Sequence, residues 1–381
     1  MMDETATLTQ SFERTFGRRP ETVAYAPGRV NLLGEHTDYN GGFVFPAAIN
    51  FGTWVAAAKR PDRTVSVLAL DYSGDVNHFS LDDITQDPVQ PWSNYVRGVL
   101  KALMVRHPVG GLELTITGNV PQGAGLSSSA SLEIALLKAI ASLYELPLSG
   151  VDAALLGQWA ENEFVGCSCG VMDQMASALG KQGGALLLDC QSLQFEHRAI
   201  DPDFQIVIVD SNVKRGLVGS EYNLRRQQCE QAVSVLEVNS LREVDMERLL
   251  QAQSAMSDVV FRRARHVVSE NTRTLAMARA LAESDYRAVS RLMAQSHDSM
   301  RDDFEITVPP IDALVSIIQQ VLGAQGGARM TGGGFGGCAV ALVPTNLIDD
   351  VRRAVAEEYQ KRTGLRAQTY VCTPENGAFL E

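Results

Sequence analysis

Long apolar runs are missing from this chain: no stretch approaches the roughly 18 consecutive apolar residues of a membrane-spanning helix. Cysteine is sparse as well. Six cysteines in 381 residues exclude a disulfide scaffold. Cys167 and Cys169, one residue apart with no second pair at zinc-ligand spacing, read as buried or half-buried structural thiols. The opening Met1-Met2-Asp3-Glu4-Thr5 is acidic and lacks the basic-then-apolar layout of an export signal, so reduced thiols and a cytoplasmic location are expected. Basic charge is in deficit: 33 Lys and Arg against 45 Asp and Glu give a formal net charge of −12. That balance is a poor match for nucleic acid or an anionic membrane, so neither is expected as a partner. Phosphate would have to be bound through local geometry or a metal ion.

What is present is globular: 45% hydrophobic and 20% charged residues. The length suggests two domains, here 1–200 and 201–381, and without a Pro/Gly/Ser linker they should be tightly apposed. Residues 65–70 and 112–117 read as strands, as do the apolar runs 185–189 and 205–210. Leu132, Ala135, Leu136, Ala139, Ile140 and Leu143 fall on one helical face. From about 219 to 300 the pattern is helical, and Pro309-Pro310 opens another helix to 322. A glycine cluster, 332–337, leads into a strand at 338–343; a helix at 347–363 and a strand at 370–372 follow. Strands and helices mix without regular βαβ alternation, which predicts an α+β architecture over a doubly wound sheet.

Two phosphate motifs are imitated and fail. Gly332, Gly334 and Gly337 satisfy G-x-G-x-x-G but precede a strand where a dinucleotide fingerprint opens a helix. Gly118 and Gly123 begin a P-loop pattern, but Ala124 and Gly125 stand where Lys and Ser/Thr should follow. The 121–131 segment instead offers a glycine turn between strand and helix, with serines at 127, 128, 129 and 131. One serine would suffice as a helix cap. Four, with a Gly-x-Gly turn, point to an anion site made of free backbone N–H groups and hydroxyls. Upstream, residues 27–42 set Arg29, Asn31, Glu35, His36, Asp38 and Tyr39 among glycines. The spacing of Glu35, His36 and Asp38 fits no recurring metal pattern; it suits a hydrogen-bond network around adjacent sugar hydroxyls better than a solvated loop. Local pattern alone makes Asp173 a helix N-cap and Glu161 part of a solvated helix face.

Taken together these segments resemble the GHMP kinase superfamily and, within it, the galactokinase family. The 28–39 segment is similar to the family signature, with Leu33 in place of a frequent Ile. Residues 123–131 resemble the superfamily's phosphate loop and 330–337 its C-terminal glycine motif; 170–174, 219–222 and 300–305 fit as well, so the likeness spans nearly the whole chain. The resemblance implies an N-terminal domain like domain 2 of ribosomal protein S5, a ferredoxin-like C-terminal domain and an active site between them. It implies transfer of the γ-phosphoryl of ATP to the anomeric hydroxyl of α-D-galactose, giving galactose 1-phosphate and ADP, the first committed step of galactose catabolism. Glu35, His36, Thr37, Asp38, Gly170, Asp173 and Tyr222 would hold the sugar. Gly123, Ala124, Gly125, Leu126, Ser127, Ser128 and Ser129 would cradle the ATP phosphates, with Ser129 and Glu161 on Mg²⁺ and Trp92 near the adenine. Asp173 would accept the sugar proton, kept ionised and oriented by Arg29, which would also meet the transferring charge. Partners are then the two small-molecule substrates, with the chain a monomer or weak homo-oligomer. Rival readings are a kinase of a related sugar, such as N-acetylgalactosamine or arabinose, and a sugar-binding regulator without turnover. The uninterrupted 127–131 segment, with Arg29, Glu161 and Asp173 all present, speaks against the regulator. His297 and Arg301 have no local chemical account and default to a structural role between the domains.

Overall fold

The computed structural model describes residues 2–72, 74, 76–121, 125–213 and 218–380. After helix α1 (Met2–Phe16), the first half runs through β1 (Thr22–Asn31), the short β2 (Phe43–Val44), β3 (Pro46–Arg60), β4 (Thr64–Ala69), β5 (Val76–Ser80) and β6 (Gly111–Gly118). The five-stranded sheet has the order β1-β3-β6-β4-β5, antiparallel except between β4 and β6. Alternation along β3 feeds two cores. Val55 and Ala57 point into the main one, while Trp54, Ala56 and Ala58 meet Leu8 and Phe12 of α1 on the opposite face. The main core is roofed by α2 (Ser93–Met104), α3 (Ser128–Tyr144), α4 (Gly150–Trp159) and α5 (Met172–Leu179). As the spacing predicts, Leu136, Ala139, Ile140 and Leu143 of α3 are buried there. A smaller sheet pairs β2 with β7 (Gly184–Asp189) and β7 with β8 (Phe195–Ala199).

The second half builds an antiparallel sheet from β9 (Phe204–Asp210), β10 (Gly327–Thr331), β11 (Cys338–Pro344) and β12 (Gln368–Cys372), in the order β10-β11-β9-β12. Between β9 and β10 lie α6 (Val218–Leu236), α7 (Met246–Gln251), α8 (Asp258–Ala282), α9 (Tyr286–Asp302) and α10 (Pro309–Leu322), the last started by its paired prolines. Between β11 and β12 come α11 (Ile348–Ala354) and α12 (Gln360–Thr363). The helical excursion, hairpin, helix and closing strand make the split βαβ layout of a ferredoxin-like domain. No helix among the described residues is long and apolar enough to cross a membrane.

Strand β9 explains why the two halves act as one body. Val207 and Val209 face the helices of the second half, whereas Ile206 and Ile208 pack with Val30, Leu32, Phe45 and Ile49 of the first. Burial on both faces is why this strand reads as an unbroken apolar run. We propose residues 200/201 as the division, between β8 and β9. The tail crosses back: Glu375 N donates to Ala48 O at 3.0 Å, Gly377 N to Gly180 O at 2.8 Å, and Phe379 packs on the first core.

A buried guanidinium pins the junction. Arg329 on β10, fully buried, donates from Nε to Leu32 O (2.7 Å) and from Nη2 to Asn31 O (2.8 Å) and Glu35 Oε2 (2.8 Å). Its Nη1 donates to Met330 O at 2.8 Å. Of these partners, Asn31 O also accepts from Thr331 Oγ1 at 3.1 Å, whereas the Glu35 carboxyl has Arg329 as its one counter-charge in direct hydrogen-bond contact among the described residues. Replacing Arg329 by Ala leaves the buried Glu35 carboxyl without its ion-pair partner and removes the side-chain donor to the Leu32 carbonyl, and is expected to cost about 3–5 kcal/mol in urea unfolding. A loss below about 1 kcal/mol would show that the fork does not hold the junction.

Candidate active site

The site starts from an irregularity in β1. Its register with β3 slips between Pro27 and Arg29, at Gly28, where a Cβ would come within 2.6 Å of the Leu126 carbonyl. A bulge of this kind re-aims the next side chain. Arg29 is sent inward, and its guanidinium grips Asp173 with two parallel bonds, Nε to Oδ1 and Nη2 to Oδ2, each 2.7 Å. Its Nη1 donates to Gly125 O at 2.6 Å, and Ser127 Oγ donates to the same Oδ2 of Asp173. Three of the carboxylate's roughly four acceptor positions are thereby filled, and the remaining one is on Oδ1.

Asp173 forms part of the lining of a cavity of about 380 Å³ together with Arg29, Glu35, His36, Asp38, Glu161, Gly170 and Tyr222. The turn carrying Glu35 to Asp38 is built on two left-handed residues, Gly34 (φ 91°) and His36 (φ 61°). Thr37 pins it from beneath, its single hydroxyl proton shared between Phe43 O (2.6 Å) and Gly34 O (2.9 Å), and its side chain lies outside the cavity lining. Gly170 fits because any Cβ there would overlap the Asp38 carboxylate. The His36 ring packs 5.0 Å from Tyr222 and 4.9 Å from Phe304. Phe304 is held in place by Arg225, whose Nε donates to its carbonyl at 2.7 Å, and by Arg263, whose Nη1 donates to Asp303 O at 2.6 Å. That is the structural use of the 300–305 segment.

Burial dominates the electrostatics here. It pushes the Glu35 carboxyl up despite Arg329 and Arg29. Burial, followed by the charge of Asp173, brings Asp38 up to about 7. The His36 imidazole is brought down to about 3, first by burial and then by His266, so it is neutral; its Nε2 has no hydrogen-bond partner among the described residues. A buried wall of carboxyl groups with a neutral imidazole can accept from and donate to several hydroxyls at once.

On the other side of Ser127 lies a second cavity, about 190 Å³, lined by Ser128, Ser129, Asp71, Tyr72, Trp92 and Tyr95. The Tyr72 and Trp92 rings stack at 6.0 Å. Gly125 (φ 74°) and Ser127 (φ 59°) are left-handed, and α3 begins at Ser128 without a side-chain cap. The serines are therefore not used as caps. Gly123 and Ala124 lie outside the described residues.

Glu161 departs from the local reading: it is buried, on the π turn Ala160–Val165 that continues α4. Gln174 Nε2 donates to Glu161 Oε2 and to Glu133 Oε2, both at 2.9 Å. Burial pushes Glu133 well up, helped by the Glu161 charge, and also raises Glu161, helped by Asp173; a Ser129 hydroxyl contact partly offsets the shift at Glu161. Asp173 is likewise not an N-cap. That position is Val171, and the Asp173 carboxylate is taken up by Arg29 and Ser127. Cys169 is half-buried, as expected, whereas Cys167 is exposed, a correction to its reading as a buried or half-buried thiol; both lie on the cavity wall. His297 accepts from Met330 N (3.2 Å) and Arg301 pairs with Asp298 and Asp302, all within the second half and not between domains. Glu133 and Arg329 went unnoticed in the sequence, because each acts across a long chain separation from an unremarkable local pattern, and Phe304 was marked only as part of the 300–305 segment.

Comparison with known proteins fits this geometry. Residues 10–59 match the galactokinase galactose-binding signature, 94–181 the GHMP kinases N terminal domain and 277–361 the GHMP kinases C terminal domain. The chain is similar to the galactokinase of Lactococcus lactis solved with galactose, at 36% identity, covering 98% of each chain with a TM-score of 0.92. At the level of fold it is similar to the mevalonate kinase of Methanococcus jannaschii (18% identity, 93% of this chain and 98% of that one, TM-score 0.67). The same holds for a homoserine kinase from Cytophaga hutchinsonii (15% identity, 93% and 95%, TM-score 0.60).

The Gln174 bridge yields a pH test. A raised carboxyl value means that the folded state binds the proton more tightly, so stability is greatest below the ordinary value near 4.5 and is lost as pH rises. Gln174→Leu removes the shared donor and leaves the two carboxyls facing each other. Its melting temperature is expected to fall below wild type by more at pH 8 than at pH 5, from a loss of about 1–3 kcal/mol. A deficit independent of pH would contradict the bridge.

Proposed function

The chain belongs to the galactokinase family of the GHMP kinase superfamily, and from that premise we propose how its site transfers the γ-phosphoryl of ATP to the anomeric hydroxyl of D-galactose. The observation that carries the reading is the position of Asp173. It stands on the wall of the larger cavity and against Ser127 of the serine loop, held by a two-bond fork from Arg29. Phosphoryl transfer through a loose, anionic transition state depends mostly on positioning and electrostatics, which such a rigid arrangement supplies.

Galactose would occupy the larger cavity, its hydroxyls paired with Glu35, His36, Asp38, Gly170 and Tyr222. Thr37 would contribute by fixing the turn beneath them. ATP would lie along the serine loop, phosphates over 123–129 and base toward the Tyr72 and Trp92 rings. The nucleotide's Mg²⁺ suits the residues present. A buried carboxylate at Glu161 with the Ser129 hydroxyl beside it is the sparse protein contribution expected of a cation that keeps phosphate and water ligands. When bound, Mg²⁺ would neutralise developing charge on the phosphates. Gln174, through its bond to Glu161, would keep that carboxylate facing the loop.

The open acceptor position on Asp173 Oδ1 would take the proton of the anomeric hydroxyl as its oxygen bonds to phosphorus. Arg29 and Ser127 prevent the carboxylate from rotating away, and Arg29 adds positive charge beside the reacting oxygens. Specificity for the axial 4-hydroxyl would rest on Asp38, since an epimer leaves a buried polar group unpaired.

ADP release with Mg-ATP, comparing D-galactose with D-glucose, N-acetylgalactosamine, L-arabinose and no sugar, tests the reading. Turnover on galactose with glucose near background is expected; turnover on another sugar only would overturn the substrate, and none on any sugar would overturn the activity. Asp173→Asn should retain galactose binding and lose at least about 10²-fold in kcat. Near-normal turnover in a folded variant would remove the base role. Asp38→Ala should raise galactose KM by about tenfold or more while changing kcat less, and an unchanged KM would refute its part in recognition.

A further inference from the structure

The turn that carries Glu35, His36 and Asp38 is gripped from outside the cavity by α8. Residues 258–276 of this helix lie outside all three matched family segments. His266, Glu270, Asn271 and Thr274 fall on one helical face and are all buried. Each meets the 34–43 segment. Glu270 Oε1 accepts from Gly34 N (3.1 Å), Glu35 N (3.3 Å) and Ser296 Oγ (2.7 Å), and its Oε2 from Arg273 Nε (2.7 Å). Asn271 Oδ1 accepts from Phe43 N at 2.9 Å. His266 Nε2 is 3.0 Å from Glu35 O; a carbonyl only accepts, so that nitrogen carries the proton and Nδ1 accepts from Ser299 Oγ at 2.9 Å. Thr274 Oγ1 closes over Gly34, 3.2 Å from where a Cβ would stand.

An interdomain joint could be made of apolar packing alone, as at β9. Here four polar contacts converge on the backbone on both sides of Glu35 and on the strand that ends the turn. We propose that α8, through Glu270 and Asn271, sets the position of the sugar-holding residues Glu35, His36 and Asp38, making both of them positioning residues for the sugar acceptor. The inference rests on the reading that the larger cavity takes galactose. Burial opposes charge on Glu270, but the charge of Arg273 leads the effects that outweigh it and bring its carboxyl down to about 2, so it stays an anion with acceptors only.

The test is steady-state kinetics and equilibrium galactose binding on Glu270→Gln and Asn271→Ala, with melting curves to confirm folding. Gln keeps the shape but sets an amide N–H₂ against either Arg273 or the Gly34 and Glu35 N–H groups. Galactose KM and Kd are expected to rise about tenfold or more in Glu270→Gln and about threefold or more in Asn271→Ala. The KM for Mg-ATP and kcat should remain within about twofold. A purely structural role would lower the melting temperature and the active fraction without moving KM. Wild-type galactose KM in the folded variants overturns the inference, and Asn271→Ala decides it alone if Glu270→Gln does not fold. If Asp38→Ala raises galactose KM while these two variants do not, only the α8 inference falls. A wild-type enzyme that does not phosphorylate galactose takes the cavity reading down with it.

Discussion

One guanidinium ties the carboxylate on the wall of the larger cavity to the serine loop. Arg29 holds both oxygens of Asp173 and, with its remaining nitrogen, the carbonyl of Gly125 in the serine loop. The carboxylate on the wall of the larger cavity and the backbone of the serine loop therefore cannot move independently. Little of this depends on helix or strand propensity. It depends on a one-residue slip in β1 at Gly28, tolerated because glycine lets the chain pass close to Leu126.

A second arginine does for the fold what Arg29 does for the site. Arg329 comes from the far end of the chain to Asn31 at the end of β1, to Leu32 just after it and to Glu35. Buried ion pairs are weak sources of net stability but strong sources of geometry, because a misplaced partner leaves a charge without water or counter-charge. With β9 supplying apolar contact on both its faces and α8 supplying acceptors to the turn, the Glu35 to Asp38 side of the larger cavity is built by the first half and held by the second. This explains how a turn with two left-handed residues, one of them His36, stays ordered around a cavity.

Much of this was legible in the sequence. The strands at 65–70, 112–117 and 205–210, the α3 face, the proline-started α10 and the glycine-to-strand step at 332–343 all carry periodicity or punctuation that survives folding. The site was legible where functional groups sit close along the chain, as in 28–39 and 123–131. Local pattern misjudged Glu161 and Asp173, which read as a solvated residue and a cap, because burial and the Arg29 fork come from segments more than 100 residues away in the case of Asp173. Strand β3 gave little signal for its length, since its alanines suit helix as well as strand and its two buried faces erase alternation. Glu133, Glu270 and Arg329 were invisible for the same reason: charged residues in amphipathic elements read as surface until their partners are known.

The most direct measurement is a crystal structure with galactose, Mg²⁺ and a non-hydrolysable ATP analogue bound together. The expected result places the anomeric oxygen about 3 Å from Asp173 Oδ1 and in line with the γ-phosphorus, with Arg29 still forked on the carboxylate. A sugar turned so that its anomeric oxygen lies beyond about 5 Å from Asp173, with no water between them, would contradict the role given to that carboxylate.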